Sequence, residues 1–355
     1  MSMSKLVPSI RPDKDQLDFF REIAAVTGNN YTNTLEFYSS LPAILFDAGH
    51  ADTSKPYRKI FTYGNEQFTL IMKPTNIVRK GDVVRQAFPG QREGIVREVV
   101  TKMAIDSPDI LHQIKAANQT KVELRCSLSR IRARCIEAGH GWKLEEIHEA
   151  LQILSECRIE IKQGSVRISP EVGLLGYGYG INETDSERSL AVITFHPLFI
   201  GALRKKGYRQ IHYGRLMQLK HPLARWTYQR MSHYYTTVEK GFFGFSSAKP
   251  YNISLKFILE NSTMTRYVNL RNNVRECRQA WADMLRCGIL TAVRDKEKHG
   301  YDEEIRYDTS ARGRGRKPII DAVWDLWISG EVVEDMIVAT QKTKKLVDSE
   351  KNEST

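Results

Sequence analysis

Apolar residues recur along this chain at two spacings, helical and alternating, and the way the two succeed each other marks out a pair of similar halves. In KLEEIHEALQIL (143–154), Leu144, Ile147, Leu151 and Leu154 fall at i, i+3, i+7 and i+10, one face of a helix. SLSRIRARCIEA (127–138) predicts a helix before it, and Gly139-His140-Gly141 forces the turn between them. KVELRCS, from Lys121, predicts a strand ahead of both helices. RIEIK (158–162) and SVRIS (165–169), joined at Gln163-Gly164, predict a hairpin. GLLGYGYG (173–180) follows as a mobile loop, then SLAVITF (189–195) as a third strand. Helix, turn, helix, hairpin is a winged-helix order. Upstream, QLDFFREIAAV (16–26) predicts a short helix stopped by Gly28, and KIFTYGNEQFTLIM (59–72) a hairpin turning near Gly64-Asn65. GDVVRQAF and GIVREVVTKMAI predict helical stretches split by Pro89-Gly90.

The order then repeats. HPLARWTYQRMSHYY (221–235) predicts a helix with Pro222 in its first turn, where a missing N–H costs nothing. ISLKFILEN (253–261) predicts a second helix capped by Ser254. After Ser262-Thr263 comes the longest helix, about 267–286, with Leu270, Val274, Cys277, Trp281 and Leu285 as its apolar stripe. GILTAV (288–293) is expected as a strand, RDKEKHGYD as a wing loop and EEIRYDTS (303–310) as the returning strand. RGRGRK (312–317), an apolar helix IIDAVWDLWI (319–328) and a tail disordered from about residue 341 complete the chain. The expected fold class is α+β: tandem winged-helix domains with short antiparallel hairpins, a flexible N-terminal arm and a C-terminal tail. The expected boundaries are 1–30 for the arm and its short helix, 31–204 and 205–318 for the two winged domains, and 319–355 for the final helix and tail.

Composition narrows the function classes. The chain has 355 residues, 41% hydrophobic and 27% charged, close to globular averages and ample for two domains. No run approaches the ~18 apolar residues of a membrane span, and MSMSKLVPSIRPDKD lacks a signal-peptide core, so a cytoplasmic protein without a membrane partner is expected. Five cysteines (126, 135, 157, 277, 287) never form a CxxC and read as reduced, mostly buried thiols. The net charge of +11 is unevenly spread: residues 202–317 hold 24 Lys/Arg against 10 Asp/Glu, and the remainder 29 against 32. One half is thus +14 and the rest −3. A cationic half joined to a near-neutral one implies a polyanion, with nucleic acid first.

The candidate chemistry follows that charge. Arg271, Arg275 and Arg278 sit at i, i+4 and i+7 on the longest helix, away from its apolar stripe, with Asn269 and Asn272 near its start. Arg takes guanine O6/N7 and Asn takes adenine N6/N7, so this face suits a major groove. Arg266 and Lys256 join the candidate DNA-binding set from the segments just before that helix, and Arg294, Lys296, Lys298 and His299 from the expected wing, where phosphate contacts position without reading sequence. Arg312, Arg314, Arg316 and Lys317 resemble a minor-groove hook whose core is Arg-Gly-Arg-Pro, although Lys317 intervenes before Pro318, so a phosphate contact is the expectation. In the first half, Lys143, Glu145, Glu146, Glu149 and Gln152 give the corresponding helix an acidic outer face, which repels phosphate and fits an interaction or dimerisation module. No catalytic residue, cofactor or metal site is expected. GLLGYGYG lacks the Gly-Lys-Ser/Thr of a phosphate loop. His212-Tyr-Gly-Arg215, with Tyr234, Tyr235 and Tyr251 downstream, matches the HxxR of tyrosine recombinases without the rest of that signature.

LRCSLSRIRARCIEAGHGWKLEEIHEALQILSECRIEI in the first half, and HPLARWTYQRMSHYY, YNISLKFILEN and the arginine-rich helix ending MLRCGIL in the second, resemble plasmid replication initiators of the RepA/TrfA type. The likeness runs over about residues 30–310 in order and spacing. It implies binding to repeated origin sequences (iterons) in double-stranded DNA, opening of an adjacent AT-rich segment, and recruitment of the host initiator DnaA and the replicative helicase. It also implies plasmid copy control and a homodimer, made through the first domain, in exchange with monomers. Two alternatives stay open: a winged-helix transcriptional regulator on an operator, and a tyrosine-type DNA strand-transfer enzyme.

Overall fold

The structure is a computed structural model, and it describes residues 31–35, 41–63, 66–79, 82–106, 111–116, 119–168, 171–180, 190–196, 208–234, 239–241, 244–246, 250–291, 300–310 and 317–337. The expected arm, the helix at 16–26, the wing residues 292–299 and the tail lie outside them. The fold is α+β, with small antiparallel sheets, and the chain divides into two compact units, Met1–Tyr208 and Arg209–Thr355.

After a short strand at Tyr31–Leu35 and a 3-10 turn at Ala48–His50, the first unit forms the expected hairpin, β1 (Tyr57–Tyr63) and β2 (Glu66–Met72). A second hairpin follows, β3 (Thr75–Arg79) with β4 (Asp82–Ala87). GDVVRQAF is therefore strand and not helix; Val83 and Val84 are β-branched, and Val83 pairs with Val78 across the ladder. α1 (Gln91–Asp106) is buried around its whole circumference, Glu93, Arg97 and Lys102 included, which makes it the interior helix of the unit. Its buried charges are paired locally: Glu93 accepts the Gly90 N–H at 2.8 Å, Arg97 donates to Glu98 at 3.0 Å, and Lys102 bonds Asp106.

β5 (Leu111–Ala116) and β6 (Gln119–Ser127) come next, then α2 (Leu128–Glu137), whose N-cap Ser127 accepts the Arg130 N–H at 3.1 Å. α3 (Leu144–Glu156) buries Ile147, Leu151 and Leu154 as the stripe predicts, with Ala150 beside them, whereas Leu144 in its first turn is exposed. The strands after it depart from expectation. β7 (Ile159–Gln163) and β8 (Val166–Arg167) do pair, but they extend the β1–β2 sheet in the order β1-β2-β7-β8. The wing strands are β9 (Leu175–Gly180) and β10 (Leu190–Phe195), in the sheet β9-β10-β6-β5. GLLGYGYG is thus mostly strand. Two of its glycines allow close approach: a Cβ on Gly176 would meet Thr194 Oγ1 at 2.1 Å, and one on Gly173 the Ser155 carbonyl oxygen at 2.1 Å.

The second unit runs α4 (Tyr213–Gln218), α5 (Pro222–Tyr234), β11 (Tyr251–Ser254), α6 (Leu255–Asn261), α7 (Leu270–Arg286), β12 (Tyr301–Tyr307) and β13 (Ile319–Leu326). Ser254 caps α6 as expected, accepting the Phe257 N–H at 3.1 Å. The sheet order is β11-β13-β12, so Ile319–Leu326 is the central strand and not a helix, and the second winged unit extends beyond residue 318. The reason is period two: Ala322, Trp324, Leu326 and Ile328 are buried in alternation. The described part of GILTAV, residues 288–291, holds no strand; Gly288, at φ +67°, ends α7, and Leu290 forms one isolated bridge with Ile328. Trp281 of α7 meets Trp324 of β13 edge-on, with ring centroids 6.0 Å apart, at the centre of this core. Both units therefore share a core order, interrupted by β5, β7 and β8 in the first and by a short hairpin, Glu239–Gly241 with Gly244–Ser246, in the second. Helix, strand, helix, helix, strand, strand is α1-β6-α2-α3-β9-β10 in the first and α5-β11-α6-α7-β12-β13 in the second, with the first strand pairing the third in each.

Candidate nucleic-acid interface

α7 closes the set α5-α6-α7 of the second unit, in the place that α3 holds in the first, and is the expected reader. Val274, Cys277, Ala280, Trp281 and Met284 face the core, and the opposite side carries Asn272, Arg275, Gln279, Ala282 and Arg286. The three arginines expected to read bases divide by what they already hold. Arg278 makes a forked pair with Glu303 of β12, Nε at 3.0 Å and Nη2 at 2.5 Å, and Trp324 Nε1 donates to the same carboxylate at 2.7 Å. The Glu303 hydrogen bond and charge raise the Arg278 pKa further. Arg271 donates from Nη2 to the Lys317 carbonyl oxygen at 2.7 Å and lies 5.9 Å from the centre of the Tyr307 ring. Both arginines fasten the wing hairpin to the helix. Arg275 is exposed and has no polar partner among the described residues.

Asn269 is used by the fold as well: its side chain accepts the Arg271 N–H at 3.0 Å and caps the helix. Asn272 keeps its amide free of described partners, and so does the exposed Gln279, which sequence reasoning left out although Gln reads adenine as Asn does. The signal was its place at i+4 from Arg275 and i+7 from Asn272. Arg266 is exposed in the loop before α7, and Lys256 is exposed in the first turn of α6, its backbone N–H donating to Asp321 at 3.0 Å.

The wing is placed differently from expectation. β12 and β13 are joined through residues 308–318, and the Asp308 N–H donates to the Pro318 carbonyl oxygen at 2.9 Å at the base of that connection. Arg312, Arg314, Arg316 and Lys317 therefore belong to the wing itself; of these, only Lys317 is among the described residues, and it is exposed. Arg294, Lys296 and Lys298 belong to the link from α7 to β12 and lie outside the described residues. The sheet face turned away from α7 carries Asp302, Glu304, Asp321 and Asp325, with Arg306 bonded to Glu304 at 2.9 Å. An acidic back repels phosphate and leaves the helix side as the approach for a polyanion.

The corresponding helix of the first unit is closed. Ile77 and Ala87 of the β3–β4 hairpin cluster with Ile153 on its outward side, and Thr75 Oγ1 donates to Glu156 at 2.8 Å. Glu149, expected on an acidic outer face, is buried and accepts from Arg85 at 2.5 Å and Arg92 at 2.9 Å. Glu146 is turned back onto the Lys143 N–H at 2.7 Å, the carboxylate half of a capping box. The expected open acidic face is therefore mostly consumed within the unit, because the hairpin supplies both apolar cover and counter-charge.

No family model matches the chain, and no curated protein matches it. Two solved structures of domains 2 and 3 of RctB are similar to it. A selenomethionine form has a TM-score of 0.40 at 7% identity, covering 77% of this chain and 91% of that one. The second has a TM-score of 0.39 at 9% identity, covering 80% and 94%.

The HxxR residues have structural partners. His212 Nδ1 accepts the Arg215 N–H at 3.2 Å and caps α4, and Arg215 bonds Asp335 and, at 2.6 Å, Glu331, tying down the helical residues 330–337. All five cysteines are buried; burial pushes Cys126 up to about 11 and Cys135 and Cys157 up to about 12, so these thiols stay protonated at neutral pH. Among the described residues no group of side chains is arranged to hold a metal ion, and no helix is long and apolar enough to cross a membrane.

Proposed function

We propose that this chain is a sequence-specific binder of double-stranded DNA that serves as a plasmid replication initiator on repeated origin sequences. The observation that carries the reading is the outward face of α7. Asn272, Arg275 and Gln279, at i, i+3 and i+7, stand without described partners in the half of the chain that holds +14. Amide and guanidinium groups in one helical row match base edges in a major groove. The wing adds four cations to grip phosphate or the minor groove.

The initiator role rests on the resemblance of residues 30–310 to the RepA/TrfA type, which also brings opening of an AT-rich segment, contacts with DnaA and the replicative helicase, and action in the cytoplasm. The chain acts here by binding and not by catalysis, so strand opening draws on binding energy or on host ATPases. A dimer in exchange with monomers is retained through the first unit. Its contact is not the α3 face centred on Glu149 and Ile153, which the β3–β4 hairpin occupies.

Footprinting of the full chain on plasmid DNA tests the reading. Protection over several direct repeats of ~20 base pairs, two turns of duplex, is expected. A single palindromic footprint would make the chain an operator-binding regulator, and a covalent protein–DNA adduct a strand-transfer enzyme. Equal protection of every sequence would end the proposal.

A further inference from the structure

The segment leading into α7 holds apolar side chains in water. Thr265, Arg266, Tyr267, Val268 and Asn269 are all exposed, with Tyr267 at 38% and Val268 at 108% of full exposure. A lone exposed apolar residue is ordinary and carries nothing by itself. Here the backbone beneath it is pinned from both sides. Asn273, one turn into α7 and 0% exposed, spends both ends of its amide on this loop. Its Nδ2 donates to the Thr265 carbonyl oxygen at 2.7 Å, and its Oδ1 accepts the Tyr267 N–H at 3.0 Å. At the loop entry, Ser262 Oγ donates to the Ile258 carbonyl oxygen at 2.7 Å and accepts the Met264 N–H at 3.1 Å. At its exit, Asn269 caps the helix. The loop is thus preorganised, and what it presents is a valine at the leading end of the helix that carries Asn272, Arg275 and Gln279.

In helix-turn-helix docking, the leading end of the third helix is the part that reaches base edges. The major groove offers one apolar group there, the C5-methyl of thymine. We propose that Val268 packs against a thymine methyl in the bound site, making it a specificity-determining residue, with Asn273 as the positioning residue that holds its backbone. The proposal rests on the reading of α7 as the DNA-reading helix and adds which base the loop before it selects. Cations grip any duplex equally; a methyl contact separates thymine from cytosine and from uracil.

The experiment uses the full-length chain. A duplex is selected from a random 24-base-pair pool and resynthesised with deoxyuridine replacing one thymidine at a time, which deletes only the methyl. At one thymine position the uracil duplex should bind about fourfold more weakly, the scale of burying one methyl group. Val268→Ala, an exposed change that leaves the core untouched, should weaken binding to the thymine duplex by a similar factor and become indifferent to uracil at that position. Asn273→Ala should shrink the thymine-to-uracil ratio while the further fold-loss from Arg275→Ala is kept; a merely unfolded protein would lose both. The inference is overturned if no thymine position responds to uracil, or if the response persists unchanged in Val268→Ala. Selection that enriches no sequence would remove the DNA-reading function itself, and this inference with it. A sensitive thymine position that tracks Arg275→Ala and ignores Val268→Ala would leave the function standing and remove only the valine.

Discussion

The two units share a core order of helices and strands, and the matching helices, α3 and α7, differ in what lies over their outward sides. In the first, the outward side of α3 is sealed by a hairpin that supplies Ile77 and Ala87 to Ile153 and Arg85 to Glu149. In the second, the outward row Asn272, Arg275 and Gln279 of α7 meets no polar partner among the described residues, Arg286 at its far end donates to the Gln218 carbonyl oxygen at 2.8 Å, and the wing engages only the flanking Arg271 and Arg278. The shared order alone therefore does not fix what the helix presents. An added element covers one helix and not the other, and the local charge agrees with the cover: carboxylates where it is closed, guanidinium and amide groups where it is open.

The largest effect should come from the core beneath the open helix. Trp324 is fully buried, meets Trp281 edge-on and bonds Glu303. Trp324→Ala should cost the second unit about 3–5 kcal/mol. Calorimetry should show that unit's transition lowered and the first unit's unmoved; one transition shifting as a whole would abolish the distinction between them.

Next comes the open face. Arg275→Ala should cost about 1–3 kcal/mol on the selected site, and relax preference at one base pair. Arg275→Lys should keep non-specific affinity and damage the specific affinity, because lysine retains the charge without the planar fork. Arg271→Ala should act chiefly by loosening the wing, so its loss should be similar on every sequence. Titrations of cognate and random duplex settle this: equal losses on both for Arg275→Ala would remove α7 as the reader.

The closed face gives a third, comparable effect on stability alone. Glu149→Gln weakens two charge-assisted bonds from Arg85 and Arg92, and should lower the first unit's stability by about 1–3 kcal/mol. DNA affinity should not change. A rise in affinity would mean that α3 is a reader held in reserve, and the comparison would fail.

The smallest effect is pH-dependent. Asp283 of α7 accepts the Lys220 N–H at 2.6 Å and the His221 N–H at 2.8 Å, joining α7 to the start of α5. Burial raises its pKa, but the hydrogen bonds from His221, Arg286 and Lys220 outweigh that and hold it below its ordinary 3.8. A depressed carboxylate contributes fully above its unfolded value and loses that contribution as pH falls through the folded one. Asp283→Asn should therefore lower the second unit's stability by about 1 kcal/mol at pH 7, and its deficit should close below about pH 4. A deficit independent of pH would assign the effect to packing.

How much of this was legible depends on what kind of signal each segment carries. Helical stripes were plain: Ile147, Leu151 and Leu154, or Val274, Cys277 and Trp281, lie at spacings that only a helix brings to one side. Residues 319–328 also carried a usable signal, since Ala322, Trp324, Leu326 and Ile328 alternate; the density of apolar residues around them hid the period. Residues 175–180 were illegible for a different reason. Gly176 stands where Thr194 comes too close for a side chain, as Gly173 just ahead stands against the Ser155 carbonyl, a tertiary fact with no local trace. The partnership of β7 with β2, across a long stretch of chain, is likewise set by packing and not by spacing. Charge pointed to α7, but which of its arginines the fold already holds depended on Glu303 and the Lys317 carbonyl, both far away in sequence.

The cover on the first unit has a consequence in time. The β3–β4 hairpin ends at Ala87, and α3 begins at Leu144. At ribosomal speeds of roughly 5–20 residues per second, the shield is synthesised roughly 3–10 s before the surface it shields. Hairpins close in about 1–10 μs, so Ile153 emerges into a nascent chain whose lid has already had ample time to sample its shape. Transposing that hairpin to the far side of α3 by circular permutation would reverse the schedule. The finished contacts would be the same, but a bare helix face would wait on the ribosome for its cover, with aggregation as the competing outcome.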